Sequence, residues 1–143
     1  MSSRLQLALN VSNLDEAIKF YSAMFSTAPA KVREGYANFA IADPPLKLVL
    51  IETPHVAGEA YPRINHLGVE MESSGEVETA ISHFEKLGLV DSVEKESTCC
   101  FAVQDKVWVH DPDGVNWEYY TVLADAESVS GNINSAAAGG GCC

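Results

Sequence analysis

Only a few side chains in this chain call for a chemical rather than a packing explanation, and they are scattered along its length. Glu118 sits in Trp117-Glu118-Tyr119-Tyr120-Thr121-Val122, a run otherwise aromatic and β-branched that reads as a strand. A carboxylate in that setting either faces water at the outside of a sheet or has a cationic partner, because an unpaired buried charge is strongly destabilising. Gln6 and His66 occupy matching places in two similar strands, Leu5–Val11 and Ile64–Met71. Gathered inside a cupped sheet, Gln6, His66 and Glu118 would offer an amide oxygen, an imidazole nitrogen and a carboxylate oxygen. That set suits a borderline divalent ion such as Fe(II), Mn(II), Ni(II) or Zn(II), with positions left open for water, dioxygen or substrate.

Cys99-Cys100 is the second chemical feature. Neighbouring side chains of a regular strand point to opposite faces, so these two sulfurs can grip one atom only if Thr98–Cys100 forms a turn or loop. Vicinal thiolates are soft donors suited to trivalent arsenic or cadmium. The plainer alternative is two small residues packed at a strand start. Four cysteines as two adjacent pairs, Cys99-Cys100 and Cys142-Cys143, do not make a dispersed disulfide framework, and free thiols are expected. Among the other histidines, His83 reads as solvated, His55 as a loop residue and His110 as a hydrogen-bonding residue before a turn.

The elements that must position these residues repeat. Leu5, Leu7, Leu9 and Val11 alternate with Gln6, Ala8 and Asn10; Leu67, Val69 and Met71 alternate with His66, Gly68 and Glu70. Each strand precedes an amphipathic helix: Leu14, Ala17, Ile18, Tyr21 and Phe25 after the N-cap Asn13, and Val77, Ala80, Ile81, Phe84 and Leu87 before Gly88. Three strands follow in each half. They are expected at Lys31–Glu34, Tyr36–Ala42 and Leu46–Ile51, then at Val90–Glu96, Phe101–His110 (broken near Gln104-Asp105) and Asn116–Val122. The expected fold is therefore α+β: two βαβββ modules, 4–52 and 64–124, forming one domain with a cupped, barrel-like sheet. Thr53–Arg63 is the linker, and the Ser/Ala/Gly-rich residues 125–143 read as a disordered tail.

A formal charge of −11 repels phosphate and anionic lipid, and no basic cluster offsets it, so nucleic acid and membrane partners are not expected. The N-terminal residues lack a signal-peptide pattern and no apolar run is long enough to span a bilayer, so a cytoplasmic location is expected.

These features together resemble the glyoxalase/bleomycin resistance/dioxygenase (vicinal oxygen chelate) superfamily. The resemblance rests on the paired βαβββ order, the helix opening Asn13-Leu14-Asp15-Glu16-Ala17-Ile18-Lys19-Phe20-Tyr21, and Asp111-Pro112-Asp113-Gly114 before the Glu118 strand. Within it, the stretches Tyr36–Leu50, Asn65–Glu70 and Thr98–Val109 are similar to the C–As lyase (ArsI) family and to cadmium-induced CadI-type proteins. The resemblance covers residues 5–125 and implies a non-haem Fe(II)-dependent dioxygenase that cleaves the carbon–arsenic bond of trivalent organoarsenicals to give arsenite. It implies Gln6, His66 and Glu118 as iron ligands, Cys99 and Cys100 as the arsenical-binding pair, dioxygen as co-substrate and a homodimer as a plausible assembly. The wider superfamily more often has histidine where Gln6 stands; an amide oxygen is the weaker donor, which lowers the expected metal affinity.

Three rival readings use the same scaffold. A glyoxalase-type isomerase would want a carboxylate in the first module matching Glu118, and Lys47-Leu48-Val49-Leu50 offers none. A sequestering protein would hold arsenic or cadmium through its cysteines without turnover. An antibiotic-binding resistance protein would need neither the metal nor Cys99-Cys100.

Overall fold

The structure, a computed structural model, describes residues 3–125. Apart from Asp125, the tail expected to be disordered lies outside the described residues, as does Cys142-Cys143. The chain divides into two compact units, Arg4–Asn65 and the residues from His66 onward. No described helix is long and apolar enough to cross a membrane.

The first unit contains β1 (Arg4–Val11), α1 (Leu14–Phe25), β2 (Lys31–Arg33), β3 (Tyr36–Ile41) and β4 (Leu46–Glu52). Its strands run in the order β2-β3-β4-β1, with β1 parallel to β4 and the other pairs antiparallel. Asn13 caps α1 by accepting a hydrogen bond from the Glu16 N–H at 3.0 Å, and Asp15 and Glu16 place negative charge at the positive helix end. Glu52, at the end of β4, takes the Leu14 N–H at 2.8 Å, which ties the helix start to the sheet. Phe39, Ala37, Leu48 and Leu50 form the core with Val11, Leu14 and Ile41, and Leu7, Leu9, Ala17, Ile18 and Tyr21 pack against it. On β1 the polar side chains Gln6 and Asn10 are buried along with Ala8 and Val11, whereas Leu5 is 49% exposed. Asn10 also holds the linker: its amide donates to the Pro62 carbonyl at 2.7 Å and accepts from Thr53 and Asn65 at 3.0 Å each.

The second unit is built on β5 (Ile64–Glu70, which opens at the boundary), α2 (Ser74–Leu87), β6 (Ser92–Cys99), β7 (Ala102–His110) and β8 (Asn116–Asp125). The order is β5-β8-β7-β6, with β5 parallel to β8. Both units are thus βαβββ, as the repeat predicts. Ser73 and Glu76 form a reciprocal capping box on α2, and Gly88 ends the helix in the left-handed region at φ 70°. Val77, Ala80 and Ile81 bury one helix face against Val107, with Phe84 packed edge-on to Tyr119.

Several strand bounds differ from expectation by a residue or more, and β8 continues to Asp125 rather than ending at Val122. β6 starts later than Val90 and runs on to Cys99, so the turn falls at Cys100-Phe101. The break expected near Gln104-Asp105 is a register shift in a continuous β7, between Val103 and Gln104 against β8, together with a bulge on β6 opposite Asp105. The N–H groups at a helix start need acceptors, so replacing Ser73 by Ala should lower the urea-unfolding free energy by about 1 kcal/mol.

Candidate metal and thiol site

The buried polar side chains of the second unit share one face of its sheet. Trp108 pairs with Glu118 and Lys106 with Tyr120 across β7 and β8, and paired residues in an antiparallel ladder point the same way. Val107 and Tyr119, one step out of phase, face α2 instead. Gln104, Lys106, Trp108, Glu118 and Tyr120 are therefore neighbours, and all are buried.

Glu118 has the cationic partner that its setting demands. The Lys106 ammonium donates to Oε2 at 2.9 Å, and His66 Nε2 stands 3.4 Å from Oε1. Burial pushes the Glu118 carboxyl up, but the Lys106 charge and the hydrogen bond from His66 outweigh it and hold the group well below the usual carboxylate range. Lys106 itself has no exposed surface. Its ammonium lies 5.4 Å from the Trp108 ring centroid and 5.8 Å from that of Tyr120, a cation–π setting that offsets part of its desolvation. Trp108 also meets His66 edge-on at 5.4 Å and is fixed by its indole N–H, which donates to Glu94 Oε2 at 2.8 Å.

The same lysine reaches the sulfur site, with Lys106 Nζ 3.8 Å from Cys99 Sγ. One hydrogen-bonded chain thus joins Cys99, Lys106, Glu118 and His66. Cys99 is wholly buried at the end of β6, pairing with Ala102. Cys100 and Phe101 occupy a two-residue hairpin loop with φ of 46° and 65°, the left-handed pattern of a type I′ turn. The turn expected over Thr98–Cys100 is thus displaced: Thr98 and Cys99 stay in the strand and only Cys100 enters the turn. The expectation of free thiols needs correction, because Cys99 and Cys100 are both disulfide-bonded. Sequence adjacency does not keep a thiol reduced; the surrounding redox potential does, and no residue pattern encodes that. Beside them, Gln104 reaches toward the Cys99 carbonyl with Nε2 at 3.5 Å, while its buried Oε1 has no hydrogen-bond partner among the described residues.

The donors fit a divalent metal. Two ligand atoms each about 2.1 Å from a common ion stand roughly 3.0–3.5 Å apart, and His66 Nε2 and Glu118 Oε1 are 3.4 Å apart. Lys106 occupies the other carboxylate oxygen, which leaves Oε1 for a single bond to the metal. Gln6 is buried on β1 of the first unit, in register with Lys47. Among the described residues no point gathers three or more His, Cys, Asp or Glu side chains; the expected set contains only two of those types. The remaining histidines lie elsewhere: His110 hydrogen-bonds Asp91, His55 meets the Tyr61 ring and His83 is exposed on α2.

Sequence reasoning missed Lys106, Gln104 and Asp105. A signal for the lysine existed, since Gln104, Lys106 and Trp108 alternate within one strand and a buried Glu118 needed a cation.

With this geometry in view, comparison with known proteins is informative. Residues 4–119 match the Glyoxalase/Bleomycin resistance protein/Dioxygenase superfamily, and the chain belongs to it. The chain is 58% identical over 126 residues to the cadmium-induced protein CadI of Mycobacterium tuberculosis, covering 88% of this chain and 80% of that one. It is 54% identical over 134 residues to the trivalent organoarsenical cleaving enzyme of Thermomonospora curvata, covering 94% and 87%. A superfamily member from Vibrio splendidus of known structure has the same fold, with a TM-score of 0.57 at 10% identity over 85% of this chain and all of that one.

Breaking a buried ion pair leaves one charge uncompensated. Lys106→Met should therefore destabilise the metal-free protein by about 3–5 kcal/mol, and adding Glu118→Gln should recover most of that in urea unfolding. A second outcome follows from Asp105, whose carboxyl the Glu96 N–H holds below its ordinary value against the opposing effect of burial. Such a group stabilises the fold above its unfolded pKa and loses that contribution as pH falls through the folded value. The stability gap between the parent protein and Asp105→Asn should be constant above about pH 5 and close on further acidification.

Proposed function

We propose that this protein cleaves the carbon–arsenic bond of trivalent organoarsenicals, using dioxygen as oxidant and a non-haem Fe(II) ion held by Gln6, His66 and Glu118. The observation that carries this reading is the 3.8 Å approach of Lys106 to Cys99 Sγ while the same ammonium holds Glu118. It puts a soft sulfur donor and two candidate metal donors on one buried face. The relative from Thermomonospora curvata, named for organoarsenical cleavage, supports the substrate class.

In this reading Cys99 and Cys100, once reduced, displace two hydroxyls from trivalent arsenic, forming two S–As bonds and releasing two waters. Gln104 Oε1, a buried acceptor without a partner among the described residues, receives a hydrogen bond from an arsenic hydroxyl during capture. Lys106 keeps Glu118 ionised and turned toward His66, and Trp108 and Tyr120 exclude bulk water. Fe(II), when bound, supplies the redox chemistry that dioxygen needs. For a methyl substituent the atoms balance as methylarsonous acid plus dioxygen giving arsenous acid and formaldehyde. Arsenic and its oxidant held in one small site react with far less entropic loss than in solution.

Arsenic capture by Cys99 and Cys100 requires both as thiols, so their disulfide bonding must first be reduced. Phenylarsine oxide should be taken up only after treatment with a reductant, and Cys99→Ser or Cys100→Ser should abolish uptake with Fe(II) binding intact. Fe(II) reconstitution without air, then methylarsonous acid and air, should yield arsenite by arsenic speciation. Arsenite no higher than in a metal-free control would remove the lyase reading and leave sequestration.

A further inference from the structure

Cys99 faces Lys106 only because β6 is irregular. Glu94 pairs with Lys106, and Ser97 pairs with Gln104. Two residues, Lys95 and Glu96, therefore oppose the single residue Asp105. A strand without this insertion would put Glu94 and Ser97 on opposite faces, being three apart. In the structure they touch: the Ser97 hydroxyl donates to Glu94 Oε1 at 3.0 Å, while Glu94 Oε2 holds Trp108 on the site face. The extra residue moves the rest of β6 by one step, and a one-step slip exchanges every side chain between faces. Without it, Thr98 and Cys100 would take the phase that Ser97 and Cys99 now hold.

The bulge needs a fastening. Glu96 has φ 47°, a left-handed conformation that a residue with a Cβ adopts only under constraint. Its N–H, turned out of the ladder, donates to Asp105 Oδ1 at 2.8 Å. Asp105 is buried on the helix side of the sheet, and its Oδ2 accepts from the Ser74 hydroxyl at 2.8 Å, in the first turn of α2. One carboxylate thus binds the bulge to the helix start. We infer that Asp105 is a positioning residue for the thiol site: by holding the Glu96 N–H it fixes the register of β6 and directs Cys99 toward Lys106 and Glu118. The functional meaning of that placement rests on the arsenic reading above; the placement itself does not.

The test uses the full, reduced chain with Asp105→Ala, Asp105→Asn and Glu96→Val, together with Asp105→Ala/Glu96→Gly. N-ethylmaleimide labelling of Cys99, mapped by mass spectrometry, reads which face the sulfur occupies. Titration with phenylarsine oxide reads the dithiol, and Mn(II) binding reads the metal donors. Asp105→Ala should raise the Cys99 labelling rate at least about tenfold and weaken phenylarsine oxide uptake, with Mn(II) binding unchanged. Asp105→Asn should behave like the parent, since its amide oxygen still accepts from Glu96 and its NH2 can donate to Ser74. Glu96→Val changes an exposed side chain but disfavours the left-handed backbone, so it should expose Cys99 with Asp105 intact. Glu96→Gly, at ease in that conformation, should restore protection to Asp105→Ala.

Unchanged labelling in folded Asp105→Ala or in Glu96→Val overturns the inference, as does damage by Asp105→Asn equal to that by Ala. Should Asp105→Ala fail to fold, Glu96→Val and Asp105→Asn decide alone. If the parent protein takes up no phenylarsine oxide, the arsenic reading fails, while Cys99 labelling still decides the role of Asp105.

Discussion

An ammonium and a carboxylate buried side by side, Lys106 and Glu118, govern what else can stand on the site face of the second unit. Neither charge can leave without stranding the other in a medium that solvates ions poorly. Their neighbours follow from that. The groups around the lysine are two aromatic rings, a sulfur and a carboxylate, all of which tolerate a cation. The pair also makes Glu118 directional, with one oxygen committed to Lys106 and the other facing His66. A carboxylate held by both oxygens has a fixed orientation, which is what preorganisation of a donor means.

The two units share a frame and differ in charge. Ala8 lies opposite Val49 as Gly68 lies opposite Glu118, and Asn38 pairs with Val49 as Trp108 pairs with Glu118. By the same count Tyr36 stands where the second unit has Lys106. The first unit therefore carries a neutral group, the Asn38 amide donating to the Tyr36 hydroxyl at 3.0 Å, where the second carries an ion pair. A glyoxalase-type isomerase would need its further carboxylate at the position of Val49. Valine there can neither ligate a metal nor move a proton, which is the structural argument against that rival.

Much of the frame was legible in the residues. The alternation of Gln6, Ala8 and Asn10, repeated by His66, Gly68 and Glu70, marked the buried faces, and the stop at Gly88 marked a helix end, because period and capping are local properties. The choice for Glu118 between facing water and having a cationic partner was legible too. The identity of that partner was not: Lys106 follows Gln104-Asp105, which read as a break, and a break leaves the phase of everything after it undefined. β6 was harder still. Ser92-Val93-Glu94-Lys95-Glu96-Ser97-Thr98 has no apolar alternation to set a face, and the bulge falls on a glutamate rather than on a glycine that would announce it. The turn at Cys100-Phe101 lacks the Asn-Gly signature of its type for the same reason.

That absence has a physical sense. Glu96, Cys100 and Phe101 all hold left-handed backbone conformations without being glycine, each at about 1–2 kcal/mol against an ordinary strand or turn residue. A hairpin selected for stability alone would place glycine or asparagine at these points. The proposed capture of one arsenic by both sulfurs imposes another requirement, because consecutive residues of a strand are thrown to opposite faces and two adjacent cysteines within one strand could never share an atom. Ending β6 at Cys99 and giving Cys100 the first turn position removes the second sulfur from the alternation, and the bulge upstream sets the first on the Lys106 face. The strain therefore lies where adjacent cysteines have to escape the period of the strand, and the hydrogen bonds of Asp105 and Lys106 lie where that strain must be held.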